Sequence, residues 1–491
     1  MAREAAPLQA IAGFVQDEEG HWVALLACGH RQHMRHVPPF IERPWVATEQ
    51  GRVAKFGTAI PCSLCLDDFS SVYARSSLDA SRTMDEARVM TNRLPLDGIR
   101  VLDVSSFIAA PAAAVVLGDY GADVIKVEAP GEGDPHRTNI QLASFPKAEV
   151  NYPWHLDARN KRSVALDLKS KDGRAALDRL IESADVMITN FPFPVRDRLT
   201  LGYEAVAKVN PKLIYASFSG YGEEGDEKDQ LGFDANAFFG RAGILDQARY
   251  EGQPPAFALP AQGDRCSAMS LVTAIMIALF DRARTGKGTW VASSLYANGL
   301  WSNGVHAQAA LLGSYLPPRP PRDRPRSAVA NIFVTKDDRW MQVSVVREDK
   351  MWSTFLTAIE RPDLASDPRF AETAIRRKNA ALLTTILDPI FKGRTWAEWH
   401  AILLRHNLPH SPIARAEDIS VDPQAVAAKA IVPTAIAEMP RTIAAPFQVG
   451  GHEPRKAGPG PGLGAHTDEI LRAAGYSVAD IAAMRKSGAV G

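Results

Sequence analysis

From Leu94 onward, short runs of apolar and β-branched residues alternate with longer stretches in which apolar positions recur every three or four residues. Ile99–Val104 (IRVLDV), Asp123–Glu128 (DVIKVE), Arg162–Leu168 (RSVALDL), Asp185–Thr189 (DVMIT), Leu213–Phe218 (LIYASF) and Trp290–Leu295 (WVASSL) have the length and composition of strands. Pro111–Tyr120 reads as a helix with proline in its first turn, and Lys171–Ser183 as an amphipathic one. Ser270–Arg284 reads as a strongly apolar helix stopped by Thr285-Gly286-Lys287-Gly288. Strands alternating with helices predict an α/β fold, with a Rossmann-like, mostly parallel sheet covered on both faces. Such sheets bind ligands at the carboxyl ends of their strands.

The pattern breaks at 316–327 (LPPRPPRDRPRS), too rich in proline for regular structure and read as a crossing between domains. Beyond it, Ile332–Thr335 and Trp340–Val346 predict a hairpin. Helices follow around Lys350–Ile359, Ile375–Phe391 and Thr395–Arg405, which makes a smaller α+β domain. From Gly458 a Gly/Pro loop leads to a helix opening at His466-Thr467-Asp468-Glu469. At the other end, residues 67–93 are polar and read as a linker. The expected organisation is a Cys/His module over 1–66, that linker, a large domain over 94–315 completed by 446–491, and the crossing with the small domain over 316–445.

Composition narrows the function classes. At 491 residues the chain exceeds one ordinary core. Lys+Arg and Asp+Glu both number 56, so no polyanionic partner such as nucleic acid is implied, though a locally basic pocket for a phosphorylated cofactor is compatible. The longest apolar run, Ala268 to Phe280, is about thirteen residues, short of the roughly 20 that a bilayer needs. The N-terminus lacks the apolar core of a signal peptide. A cytoplasmic protein is expected, without membrane contact, and four cysteines argue against a disulfide scaffold. Three of those cysteines, Cys28, Cys62 and Cys65, fall within the first 65 residues beside His21, His30, His33 and His36.

Several ordered blocks resemble the family III CoA-transferases, the group that includes formyl-CoA and carnitine CoA-transferases. They are LDGIRVLDVSS (96–106), GADVIKVEAPGEGD (121–134), RNKRSVALDLKS (159–170), ADVMITNF (184–191), DRLTLGYEAVAKVNPKLIYASFSGYG (197–222), GD (263–264), RTGKGTWVASSL (284–295) and LGAHTDEIL (463–471). The resemblance implies an enzyme that moves CoA from an acyl-CoA to a carboxylic acid, working as an interlocked homodimer. Its nucleophile is the Asp of a Gly-Asp pair before the long apolar helix, here Asp264, which passes through an aspartyl-CoA thioester. Asp is also a common helix N-cap, and the two roles are compatible at Asp264. The free amides of that helix start would then stabilise a developing oxyanion.

The resemblance also implies CoA contacts at Ala109, Leu166, Lys169, Asn190, Phe191 and Arg198. Lys169 and Arg198 would meet phosphates, although solvated surface charge is the ordinary use of such residues. Ile108 and Ala129 stand where relatives place Gln and a basic residue. FPFPV (191–195) replaces FRPGV, so one expected Arg is missing. The relatives' Gly-rich loop is absent as a run, with Asn303-Gly304 and Leu312-Gly313 its nearest counterparts. Small residues usually follow the Gly-Asp pair. Here Arg265 follows, suited to pairing with a substrate carboxylate or to crowding the site, and then Cys266, expected to be a small buried residue.

Racemases of the same family carry a paired His about 30 residues before the Asp. Phe233 stands at that position here, beside Asp234, and cannot shuttle a proton. A non-catalytic acyl-CoA-binding protein remains the alternative from a different class, favoured by the altered FPFPV and Arg265-Cys266. In the N-terminal module, which resembles a small bacterial family of unknown function, Cys28, His30, Cys62 and Cys65 have spacing suited to a tetrahedral zinc site, with His33 an alternative ligand. A reduced, unliganded cysteine pair among surface histidines is the other reading.

Overall fold

The computed structural model describes residues 8–16, 22–27, 31–33, 48–55, 58–61 and 93–491. The chain divides into two units, 1–92 and 93–491. In the first, strands β1 (Leu8–Gln16), β2 (Trp22–Leu26), β3 (Arg31–His33) and β4 (Ala59–Pro61) form an antiparallel sheet in the order β3-β2-β1-β4. Among the described side chains, Ile11, Val23, Ala24 and Leu26 are its buried apolar residues. The sequence pattern predicted no strands here.

The second unit is built on six parallel strands: β5 (Arg100–Val104), β6 (Asp123–Glu128), β7 (Lys161–Ala165), β8 (Val186–Thr189), β9 (Ile214–Ser219) and β10 (Thr289–Ser294). Their order is β10-β9-β8-β5-β6-β7. The chain winds outward from β5 to β7, returns to β8 beside β5, and winds out the other way. This is a Rossmann-like, doubly wound sheet with its switch point between β5 and β8. Alternation along the strands divides the core. Val101, Val124, Ile188 and Ala216 face the helices Ala109–Asp119 and Gln262–Thr285. Leu102, Ile125, Met187 and Tyr215 face Lys171–Glu182 and the C-terminal helices Thr467–Ala473 and Val478–Lys486.

Gln262–Thr285 is 24 residues long and apolar enough to cross a bilayer by length and composition, which the shorter run read from sequence did not suggest. One face of it is core: Leu271, Ile275 and Ala278 are packed into the first of those two clusters, while Ile277 and Phe280 are exposed.

The small domain has an antiparallel sheet of β11 (Ala330–Val334), β12 (Trp340–Ser344) and β13 (His410–Pro412). Phe333, Phe355, Leu387, Phe391 and Trp399 fill its core. The predicted helix Ile375–Phe391 is two helices, Thr373–Lys378 and Ala380–Lys392. The break is at Asn379, whose side-chain amide donates to the carbonyls of Arg369 and Ile375. A final pair, β14 (Ile431–Pro433) and β15 (Arg441–Ile443), precedes the return to the large sheet.

Candidate active site

Buried charge organises the loops at the carboxyl end of the sheet. Asp103 on β5 lies opposite Lys126 on β6 in the strand register. Its carboxylate meets Lys161 Nζ at 2.8 Å and Lys126 Nζ at 3.6 Å, all three side chains being buried. Burial alone would raise the Asp103 carboxyl, but the two ammonium groups hold it below its ordinary range. Burial dominates at Lys161, whose ammonium is lowered, whereas Asp103, Asp134 and Glu128 overcome burial at Lys126 and raise it. Lys126 also binds Asp134 at 2.7 Å, and Asp134 Oδ1 accepts the backbone N–H of Phe107 at 3.0 Å. The loop after β5 is thereby tied to a fixed electrostatic post. Phe107 has φ +65°, a left-handed conformation that costs a residue with a Cβ about 1–2 kcal/mol.

Across the switch point, Asn190 closes on the same loop. Its Oδ1 accepts from Ser106 N at 2.8 Å and its Nδ2 donates to Ser106 O at 2.7 Å. Asn190 and the loop leading into Ala109 therefore meet, as expected of neighbouring strand ends. Ala109 and Leu166 are buried and Phe191 half-buried against the core. Leu166 N donates to Glu128 O, and Lys169 and Arg198 are exposed with no ion pair among the described residues. Leu166 and Lys169 follow edge strand β7, three strands from β8, or about 14 Å at the usual strand spacing.

The missing Arg of the 191–195 segment has a structural neighbour the sequence reading did not name. Buried Arg196 donates to Phe191 O, Ser217 Oγ and Phe218 O, fixing this loop on β9.

Asp264 sits in the first turn of Gln262–Thr285, but it is not the cap. The N-cap is Ala261 at φ +69°. The helix start is held from outside, by Asp234, whose Oδ2 accepts Gly263 N–H at 3.2 Å. Asp234 opens a π-helix, Asp234–Arg241, a wide helical turn that recurs at functional sites. Gly263 is what allows this approach: a Cβ there would lie 2.7 Å from Phe238 Cγ and 2.9 Å from Asp234 Cβ. The Gly263 amide is therefore committed to Asp234, which corrects the expectation that it is free to hold an oxyanion.

The half-buried Asp264 carboxyl is pushed up to about 7, by burial first and then by the negative charges of Asp234 and Asp157, with Arg265 opposing. Asp234 is raised as well, by burial, with backbone amides around Gly263 limiting the rise.

Arg265 neither crowds the nucleophile nor stands free. Its two terminal nitrogens lie 2.9 Å from the two oxygens of buried Asp157, at the end of the helix Tyr152–Ala158. His136 Nε2 faces the same carboxylate at 3.0 Å, while its Nδ1 accepts from Asn139 at 2.7 Å. Burial would raise Asp157, but Arg265 and His136 lower it.

Cys266 is exposed, against the expectation of burial, because its helix position turns away from the sheet. Phe233, in the position the racemases give to His, is exposed and meets Phe107 edge to face at 5.7 Å between ring centroids. Asp157, His136 and Phe107 carry no local sequence signal; each reaches the site through a tertiary contact.

The four predicted zinc ligands, Cys28, His30, Cys62 and Cys65, lie outside the described residues, as does the side chain of His33. Among the described residues no group of three or more His, Cys, Asp or Glu is placed to hold a metal.

Comparison with known proteins agrees with this geometry. Residues 96–467 match the model of CoA-transferase family III, and residues 12–68 match a family described as protein of unknown function. The (R)-2-hydroxy-4-methylpentanoate CoA-transferase of Clostridioides difficile is 31% identical over 384 residues, covering 78% of this chain and 96% of the relative. The cinnamoyl-CoA:phenyllactate CoA-transferase of Clostridium sporogenes is 32% identical over 332 residues, covering 67% and 80%. A CAIB/BAIF family protein from Brucella suis superimposes with a TM-score of 0.69 at 29% identity, covering 78% of this chain and 100% of that one. A Mycobacterium tuberculosis protein does so at 0.67 and 27% identity, covering 77% and 99%.

Proposed function

The chain belongs to CoA-transferase family III and is a CoA-transferase, and on that premise we propose that CoA passes from an acyl-CoA to a carboxylic acid through a covalent thioester on Asp264. An Asp264 oxygen attacks the donor's thioester carbonyl; the C–S bond breaks, giving a mixed anhydride and CoA thiolate. The thiolate attacks the Asp264 acyl carbon and the donor acid leaves as its carboxylate, so that aspartyl-CoA forms. The acceptor carboxylate then attacks this thioester, releasing thiolate and forming a second anhydride. Thiolate attack on the acceptor's acyl carbon yields the new acyl-CoA and restores the Asp264 carboxylate. Two difficult exchanges become four easier ones, without an added oxidant or reductant.

The observation that carries this reading is the setting of Asp264, in the first turn of Gln262–Thr285, where burial first, and then the charges of Asp234 and Asp157, push its carboxyl up to about 7. A carboxyl so placed is available as a nucleophile at neutral pH, and its like-charge repulsion is relieved when it becomes an uncharged ester. Phe233, unable to accept a proton, speaks against the racemase branch.

The CoA cradle of this proposal centres on the switch point between β5 and β8, bordered by Asn190, Phe191 and buried Ala109. Arg198, and Lys169 beyond Leu166 at the β7 edge, have no ion pair among the described residues and would meet the phosphates of an extended CoA. The chain acts as a homodimer, supported by the large apolar side chains left exposed on neighbouring helices, Ile277, Phe280, Trp301, Val305 and Leu311, and at Tyr315 beyond them. Zinc held by Cys28, His30, Cys62 and Cys65 rests on spacing alone, and elemental analysis of the purified chain finding less than one equivalent would remove it.

Intact-mass spectrometry tests the covalent step. Wild type incubated with a panel of acyl-CoA thioesters should gain a CoA adduct that hydroxylamine removes, and Asp264→Ala should gain none. Measurable CoA binding with no adduct from any thioester would instead favour a binding protein.

A further inference from the structure

Behind Arg265 lies a cavity of about 300 Å³, between the helices Ala109–Asp119 and Gln262–Thr285 and under the returning segment 443–446. Its walls are apolar, formed mainly by Val115, Val116, Leu156, Met269, Ile443 and Pro446. At ~30 Å³ per water-sized group it has room for about ten such groups, at the small end of ligand pockets.

Three charged side chains line it: Asp157, Arg159 and Arg265. Arg159 is committed. It is buried, holds Asp119 through Nε and a terminal nitrogen, and donates its other terminal nitrogen to Leu156 O. Arg265 differs. Its side chain is 39% exposed, and its one partner among the described residues is Asp157. That pair uses the two terminal nitrogens on one edge of the fork. The edge that includes Nε has no partner among the described residues and is free to receive a second carboxylate. Asp157, itself fixed by His136, holds the guanidinium against rotation, so a ligand carboxylate meets a donor already oriented.

We propose that this cavity is the acid subsite, taking a monocarboxylic acid with an apolar body: the hydrocarbon fills the cavity and the carboxylate rests on Arg265. The inference rests on the reading of Asp264 as the residue that carries CoA: Asp264 and Arg265 share the first turn of one helix, and Arg265 is near enough to lower the Asp264 carboxyl. The facing carboxylates fit that order of events. Asp157 is neutralised by Arg265, and Asp264 loses its charge on becoming a thioester, so the acceptor's anion enters when the local negative charge is least. A second carboxylate on the acid would have to enter the apolar walls unpaired, at a cost of several kcal/mol, so dicarboxylates are excluded from this mode.

Exposed Cys266 lines the same cavity and reports on its occupancy without any turnover. Alkylation of Cys266 by iodoacetamide, followed by peptide mass, should slow at least fivefold with 4-methylpentanoate or 3-phenylpropanoate and remain unchanged with acetate or succinate. Arg265→Gln and Ala445→Phe should each abolish the protection. In transfer assays, Ala445→Phe, in the segment over the cavity, should raise KM for 4-methylpentanoate more than tenfold, and at least fivefold more than it raises KM for acetate.

Equal protection by succinate, or none by either apolar acid in the wild type, overturns the proposal without any variant having to fold. Protection without a CoA adduct on Asp264 would overturn the covalent reading and leave the subsite standing. An adduct without selective protection would do the reverse.

Discussion

Asp264 and its immediate neighbours form a cluster of three carboxylates, Asp234, Asp264 and Asp157, with one cation, Arg265. Their charges act on one another, and the pH dependence of the proposed reaction follows from that. In the proposed mechanism the ionised carboxylate is the attacking form. With Asp264 pushed up to about 7, the ionised fraction falls about tenfold for each pH unit below that value. The rate of CoA-adduct formation should therefore fall as pH drops from 8 to 5, with a midpoint near 7. Asp234→Asn keeps an oxygen to accept Gly263 N–H but removes the like charge, so it should move this midpoint to lower pH, by about one unit. An unchanged midpoint would mean that burial and Asp157 set it. Arg265 lowers the Asp264 carboxyl, so its loss would act in the opposite direction.

At the scale of elements, the catalytic turn is positioned by two helices that touch. The π-helix Asp234–Arg241 lies against the start of Gln262–Thr285, and Gly263 is the point of contact. Adding a methyl group there drives it into Phe238. Gly263→Ala should cost about 1–3 kcal/mol in denaturant unfolding and slow adduct formation at least tenfold, while Gly286→Ala, in open space but at φ +69° at the other end of the helix, should cost about 1–2 kcal/mol and leave the adduct rate unchanged. The strands supply a second kind of support. Asp103, Lys126 and Lys161 sit in runs that pattern alone reads as apolar strand, yet they are buried and paired across β5, β6 and β7. They hold the loop after β5 on the switch point, and that is why charged residues interrupt otherwise apolar strands.

At the scale of the whole molecule, the exposed apolar side chains on Gln262–Thr285 and on the following helices Leu295–Ser302 and Gly304–Leu311 are the largest departure from a self-sufficient surface. If a second copy covers them, light scattering after gel filtration should give twice the 53.3 kDa chain mass. Trp301→Lys combined with Phe280→Glu should lower that mass or the solubility. A wild-type monomer at micromolar concentration would remove the homodimer from the proposed function.

The pattern along the chain determined much of this. β-branched runs separated by helical periodicity specify parallel strands and their connections, because both periodicities are local and set by which face is buried. The ordered blocks, ending in Gly263-Asp264 before an apolar helix, marked the family and the candidate nucleophile. Residue order could not supply the partners. Asp157 and His136 lie 107 and 128 positions before Asp264, and no spacing rule ties an acid at the end of a short helix to an arginine on another. Nor did apolarity distinguish the part of Gln262–Thr285 packed on the sheet from the part left exposed. The N-cap falling on Ala261 instead of Asp264, the fate of the Gly263 amide and the exposure of Cys266 were likewise decided by which segments approach one another. Those contacts depend on the relative placement of distant elements, which burial of the whole core fixes and no local pattern encodes.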